Sequence, residues 1–187
     1  MKLSNTDIVD LVIMKPEVFV DQRGYFFEAM NTQKLKEFGI TTSFVQENQA
    51  FSHRGVLRGL HYQKPPFAQG KLVRAIYGSI LDIAVDVRVG SPTYGKHYKV
   101  LLTDENQMQL WIPPGFAHGA LTLSPTSIMS YFCTAPYSKM DSVSIKHDDP
   151  FLGIDWEIED IILADVDKHA PCLRDIESGF KYSLLEG

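Results

Sequence analysis

Between residues 43 and 134, apolar residues come in short runs broken by clusters of Gly, Pro, Asp, Asn and Ser. The clearest run is 80–88, where Leu81, Ile83, Val85 and Val87 alternate with Asp82, Ala84, Asp86 and Arg88. A period of two belongs to a β-strand. The same reading predicts strands over 71–77, 95–103, 107–112, 119–123 and 127–134. Turns fall at Gly78-Ser79, Asp104-Glu105-Asn106 and Leu123-Ser124-Pro125-Thr126. Upstream, the β-branched stretch 8–20 contains Pro16 and reads as one bent strand or two. Asp21-Gln22-Arg23-Gly24 reads as a turn. Asn31 can cap a helix over 32–38, which Gly39 ends. Beyond Asp141 the pattern breaks up, predicting irregular structure with short helices over one end of the sheet. Strands this short and evenly spaced indicate a sandwich, jelly roll or barrel. A small barrel fills its interior with apolar side chains unless it holds a ligand, so the polar alternate positions are of interest.

Composition narrows the class. The 187 residues suit one domain over 1–187. With 44% hydrophobic and 22% charged residues, the chain is not a disordered one. The net charge is −5 and no Lys/Arg run occurs, which argues against nucleic-acid and anionic-membrane partners. No apolar stretch is long enough for a membrane span, and the N-terminus lacks an apolar signal region, so a cytoplasmic protein is expected. Cys133 and Cys172 have no CxxC spacing and read as unpaired thiols.

Two stretches carry candidate chemistry. In RGVLRGLHYQKPPFAQGK (54–71), Arg58, His61 and Lys71 stand among Gly55, Gly59 and Gly70. Arg58 and His61 are three apart, so a flat strand would turn them to opposite faces; a bulge at Gly59 would bring them to one. In WIPPGFAHGA (111–120), Pro113, Gly115 and His118 match the second half of a cupin signature, in which a Pro-Gly turn reverses the chain and the His points inward. The bland alternatives are surface charges on a strand pair and a core histidine. Metal-binding cupins offer HxH on the first strand. Here His61-Tyr62-Gln63 has Gln in the second ligand position, and His53 and His97 stand alone, so no metal is expected. No GxSxG, P-loop or GxGxxG occurs, leaving hydrolase and nucleotide-triphosphate readings unsupported.

DQRGYFFE (21–28), QEN (46–48), GVLRGLHYQ (55–63), QGKLVR (69–74), DIAVDVR (82–88), SPTYG (91–95), QLWIPPGFAHG (109–119), and DDP with GIDW (148–156) together resemble the dTDP-4-dehydrorhamnose 3,5-epimerase family. The resemblance implies a mainly β, cupin-type jelly-roll barrel with short helices at the C-terminal end. It implies epimerisation at C3 and C5 of a nucleotide-linked 4-keto-6-deoxyhexose, by proton abstraction through an enolate. His61 would be the base, Asp167 would hold its imidazole, Lys71 would meet the C4 oxygen, and Tyr131 would return a proton on the opposite face. Arg23, Glu28, Gln46, Asn48, Arg58 and His118 would bind substrate, and Tyr137 would stack on or near the base. The family is dimeric, with Arg23 and Glu28 reaching the partner's nucleotide, so a homodimer is expected.

The implied chemistry suits these residue types. A neutral imidazole can take a proton beside a ketone, and a buried cation stabilises the oxyanion. The substrate's ketone is its own electron sink, so no cofactor is expected. The chain departs from the family pattern at Ser142, Ser144, His147 and Val166, around the rim and C-terminal segment. A dTDP-linked substrate therefore stands beside a CDP-linked alternative, and 3,5- beside 3-only epimerisation. Asp165 rivals Asp167 as partner of His61. A ketoisomerase, a non-catalytic sugar-binding cupin and a metal-dependent dioxygenase are the competing readings.

Overall fold

The computed structural model describes residues 1–182. Thirteen strands build two antiparallel sheets and one separate hairpin. The chain runs β1 (Lys2–Asn5), β2 (Val12–Lys15), β3 (Val18–Asp21), β4 (Gly24–Phe27), α1 (Thr32–Glu37), β5 (Gln46–His53), β6 (Leu57–Gln63), β7 (Lys71–Tyr77), β8 (Ser79–Asp86), β9 (His97–Thr103), β10 (Gln109–Ile112), β11 (Phe116–Thr122), β12 (Thr126–Cys133), β13 (Ser142–Ser144) and α2 (Asp165–Lys168). A 3-10 turn follows at Leu173–Asp175. One sheet has the order β1-β2-β10-β7-β12-β5 and the other β13-β6-β11-β8-β9, with β3-β4 apart. Consecutive strands often fall in different sheets, as expected of a jelly roll. Among the described residues no helix is long and apolar enough to cross a membrane.

Three apolar clusters explain why the sheets hold together. Val73, Ala75, Leu110, Ile112 and Met129 from the six-stranded sheet meet Ile80, Ala84, Leu102, Phe116 and Ala120 from the five-stranded one. The outer face of the five-stranded sheet, including Leu60, Tyr62, Leu81, Ile83, Val85 and Val87, is covered by Ile145, Leu152, Trp156 and Leu173 of the C-terminal segment. The outer face of the six-stranded sheet, with Val12, Met14, Leu72 and Trp111, is covered by Leu35 and Ile40 around α1.

Most predicted elements appear, with ends shifted by up to three residues. Pro16 divides the N-terminal stretch into β2 and β3, the second of the two alternatives. Asn31 caps α1 by accepting from the backbone N–H of Gln33 and Lys34, at 3.0 and 3.2 Å. The strand predicted over 80–88 ends at Asp86, whose carboxylate turns back to the Arg88 backbone N–H and guanidinium. The alternation in β8 is real, but neither face meets water: Asp82 and Asp86 are fully buried. Strands β1, β4 and β13 lie outside the predicted set. β1 and β13 are edge strands whose polar sequences carry no strong period, and β4 is the return strand of a hairpin; pairing with β2, β6 and β3 supplies what the sequence pattern does not.

Of the two geometries open to Arg58 and His61, the structure has the bulge at Gly59. In the β6–β11 ladder His61 lies opposite His118, but Arg58 lies opposite Ala120, so the register slips between them. Gly59 has φ +124°, and a Cβ there would sit 2.4 Å from the His118 carbonyl oxygen. Only glycine lets β6 and β11 approach this closely. Gly59→Ala is therefore expected to lower stability by about 1–3 kcal/mol, the scale of one forced backbone position, as read by urea denaturation. An unchanged midpoint would show that the bulge relaxes freely.

Candidate active site

The cavity lies between the sheets at one end of the sandwich. It forms two adjoining chambers of about 500 and 260 Å³, which share Arg58, His61, Lys71, Tyr131 and Val166 as walls. The five-stranded sheet contributes Arg58 and His61 from β6 and His118 from β11. The six-stranded sheet contributes Lys71 from β7, Tyr131 from β12, and Gln46 and Asn48 from β5. Ladder pairing fixes these neighbours: Tyr131 is opposite Asn48 on one side and Val73 on the other, and Cys133 is opposite both Gln46 and Lys71.

His61 is held from behind. Its Nε2 is 2.6 Å from Oδ1 of Asp167, a carboxylate only 2% exposed at the C-terminal segment's helix α2. A carboxylate accepts, so Nε2 carries the proton and Nδ1 is left as the basic nitrogen. Ser144 on β13 also lies near that carboxylate, its hydroxyl 3.4 Å from Oδ1. Asp165, the rival, points away: its side chain is 92% exposed and pairs with Lys168.

Lys71 reaches the cavity with its ammonium 3.4 Å from the His61 carbonyl oxygen and 5.9 Å from the centre of the Tyr131 ring. Burial pulls its pKa down, while Cys133 and Asp82 push it back up. Burial likewise raises the Tyr131 hydroxyl above the ordinary phenol value, with Asn48 and Arg58 opposing. The phenol is thus kept in its protonated form. His118 is 5% exposed, with Nε2 2.8 Å from Oδ2 of Asp82. Burial lowers its pKa and the Asp82 carboxylate opposes that shift. Arg58 spans the sandwich and donates to the Ser52 hydroxyl at 3.0 Å and the Phe51 carbonyl at 3.1 Å.

The predicted residues divide into three groups. His61, Lys71, Tyr131, Asp167, Arg58 and His118 converge on the cavity. Gln46, Asn48 and Tyr137 line its mouth, where the Tyr137 backbone N–H donates to Gln46 at 3.1 Å. Arg23 and Glu28 do not line either chamber. Arg23 sits at the tip of the β3–β4 hairpin and pairs with Asp21; Glu28 pairs with Lys34 at 2.8 Å. Ser142, Ser144 and Val166, three of the departures from the family pattern, also line the mouth.

Sequence reasoning missed Asp82 as a site residue. Its signal was present: a charged residue on the alternate face of an apolar strand. It also missed what Gln63 does. Gln63 donates to the carbonyls of Phe67 and Pro136, at 2.6 and 3.1 Å, and accepts from the Ser138 N–H at 2.8 Å. It ties two rim loops together. Among the described residues, no three His, Cys, Asp or Glu side chains gather as a metal site would need.

Comparison with known proteins points one way. Residues 5–175 match the family model described as dTDP-4-dehydrorhamnose 3,5-epimerase. The dTDP-4-dehydrorhamnose 3,5-epimerase of Sinorhizobium fredii is 42% identical over 97% of this chain and 94% of its own. The dTDP-6-deoxy-D-glucose-3,5-epimerase of Legionella pneumophila, solved with dTDP-4-keto-L-rhamnose, is 42% identical with a TM-score of 0.94, covering 98% of this chain and 99% of that one. A 3'-monoepimerase from Streptomyces bikiniensis, solved with dTDP-quinovose, is 34% identical with a TM-score of 0.85, covering 90% of this chain and 86% of that one.

The role of Gln63 is open to a direct check. Gln63→Leu keeps similar bulk but leaves two carbonyls and one amide unpaired. It is expected to cost about 1–3 kcal/mol for each group that stays dry, by urea denaturation. Backbone hydrogen exchange at Ser138 should accelerate. If exchange there is unaltered, other contacts hold the rim.

Proposed function

The chain belongs to the dTDP-4-dehydrorhamnose 3,5-epimerase family, and on that premise we propose how its cavity performs the reaction. It is an isomerase acting on a dTDP-linked 4-keto-6-deoxyhexose. His61 removes the proton beside the C4 ketone. The C–H bond electrons form a C=C bond and the carbonyl π electrons move to the C4 oxygen as an enolate. Lys71 donates to that oxygen. Reprotonation from the opposite face by Tyr131 returns the ketone with the carbon inverted. The base and the acid must lie on opposite sides of one ring, because a single group would only exchange the proton. The observation that supports this most is that His61 and Tyr131 come from opposite sheets and line one chamber, with the Lys71 ammonium 3.4 Å from the His61 carbonyl oxygen and 5.9 Å from the centre of the Tyr131 ring.

The other roles follow from charge and position. Asp167 supports the imidazolium that forms during abstraction. Arg58 is a cation at the cavity wall suited to the diphosphate. Gln46, Asn48 and His118 bind polar groups of the substrate, and the exposed ring of Tyr137 offers a stacking face to the base. Arg23 and Glu28 serve the site of a second copy. In support, the β3–β4 hairpin that carries Arg23 exposes Phe19, Val20, Tyr25 and Phe26, which are 57, 78, 60 and 72% exposed. An apolar arm of this kind suits an interface in a homodimer. We read the chain as one cytoplasmic domain.

Epimerisation at C3 alone is the second reading. It is favoured by the uncharged mouth formed by Ser142, Ser144 and Val166, and by likeness to the Streptomyces bikiniensis 3'-monoepimerase. Deuterium wash-in from D2O, followed by NMR on dTDP- and CDP-linked 4-keto-6-deoxyglucose, separates the readings. Exchange at C3 and C5 of the dTDP sugar is expected; exchange at C3 only selects the second reading, and no exchange on either substrate removes both.

Two variants test the roles. His61→Asn is expected to lose roughly 10²–10⁴ in turnover, the worth of a general base, while staying folded. Tyr131→Phe should still wash in deuterium from the His61 face but form little inverted product. Equal loss of both signals would make Tyr131 a binding contact instead.

A further inference from the structure

Asp82 has no part in the reaction as described, yet its placement is costly. It lies on the inward face of β8 and is fully buried. One oxygen accepts from His118 Nε2 at 2.8 Å. The other, Oδ1, is buried with no hydrogen-bond partner among the described residues. A buried carboxylate with one oxygen unpaired is unfavourable, and an apolar residue would pack there without that penalty. Such a group needs an explanation.

The explanation stands on the opposite sheet. Lys71 is an ammonium with three protons to donate, yet its one hydrogen bond among the described residues is the long contact to the His61 carbonyl. Arg58 and His61 from β6, His118 from β11, Tyr131 from β12 and Asp167 from α2 line the same chamber as Lys71; Cys133 on β12 is opposite it in the ladder, and Asp82 on β8 stands behind His118, to which it is bonded. Arg58 gives it no negative charge. Burial keeps Tyr131 and Cys133 in their protonated, neutral forms. Asp167 is bound to His61. Asp82 is the carboxylate that buries an oxygen with no hydrogen-bond partner among the described residues.

We propose that Asp82 is a positioning residue, which keeps the Lys71 ammonium charged for the C4 oxygen and fixes His118 with its proton on Nε2. This rests on Lys71 being the enolate donor. The sign is clear. Burial lowers the Lys71 pKa and the Asp82 carboxylate raises it, so removing that charge lowers it further. Activity that needs charged Lys71 is then lost at a lower pH. The neighbouring His118 would lose the same support, since Asp82 raises its pKa too.

Asp82→Asn tests this, because the amide has similar size and keeps an acceptor for His118. Turnover and deuterium wash-in are measured against pH. The alkaline limb of kcat is expected to move down by about one pH unit or more, giving a roughly tenfold loss on the old limb, with KM within about threefold. Asp82→Glu, which keeps the charge, should restore the limb towards the wild-type position. A loss equal at every pH, or an unmoved limb, would mean that Asp82 only supports packing and would overturn the proposal. Should Asp82→Asn not fold, NMR of 13Cε-labelled lysine in the wild-type protein, assigned with Lys71→Met, reads the charge directly. Lys71 charged at neutral pH supports the proposal, and Lys71 neutral there sinks it. The lysine measurement needs no substrate. A wild-type protein inactive on every 4-keto sugar would therefore count against the epimerase reading and not against Asp82.

Discussion

Everything in the cavity depends on how closely β6 and β11 approach at Gly59. An ordinary residue there would drive its Cβ into the His118 carbonyl. With glycine, the ladder slips by one residue and both Arg58 and His61 turn inward. Without the slip, one of them would point into the apolar cluster beneath the C-terminal segment, where a charge has no partner. The bulge thus places a cation and an imidazole on one face while Leu60 and Tyr62 stay on the other. Once His61 is inward and opposite His118, the remaining polar groups fall into place by strand alternation.

Burial of charge is the second constraint. The interior buries His118, Asp82 and Asp167 and partly buries Lys71; His118 is bonded to Asp82, and Asp167 to His61. The outer faces of both sheets are covered by apolar segments, so the sandwich does not rely on its centre alone for stability. That arrangement lets one end of the interior stay polar. Preorganised charges in such a place act more strongly than they would in water.

Much of this was legible in the residues. The period of two in β8 gave both its faces, and the Asn31 and Gly39 signals bounded α1. The spacing of three from Arg58 to His61, with Gly59 between them, showed that only a bulge could turn both to one face. The choice between Asp165 and Asp167 was not legible. Both sit in the same polar tail, and only the turn of α2 sends one to His61 and the other to solvent. Asp82 was visible as a polar alternate, but its partner His118 is far away in sequence and meets it through the β8–β11 ladder. Arg23 and Glu28 show the opposite limit. Their sequence context marks them as functional, yet within one copy Arg23 pairs with Asp21, and Glu28 with Lys34 and Asn31, away from both chambers. The edge strands β1 and β13 escaped notice because their pairing is decided by neighbours and not by their own composition.

Asp167 differs from His61, Lys71 and Tyr131 in where it comes from. His61, Lys71 and Tyr131 sit on strands locked into two sheets, but Asp167 rides on a single helical turn in a segment with little ladder pairing of its own. That segment is fastened to the outer face of the five-stranded sheet by side chains such as Leu152, Trp156 and Leu173. Segments of this kind open at a lower free energy than the strands beneath them. Lifting the tail would strip His61 of its carboxylate while both sheets remained paired. On heating, the enzyme would then fall silent while its β-sheet signal was still intact. Its working temperature range would be set by the adhesion of a tail and not by the melting of a barrel.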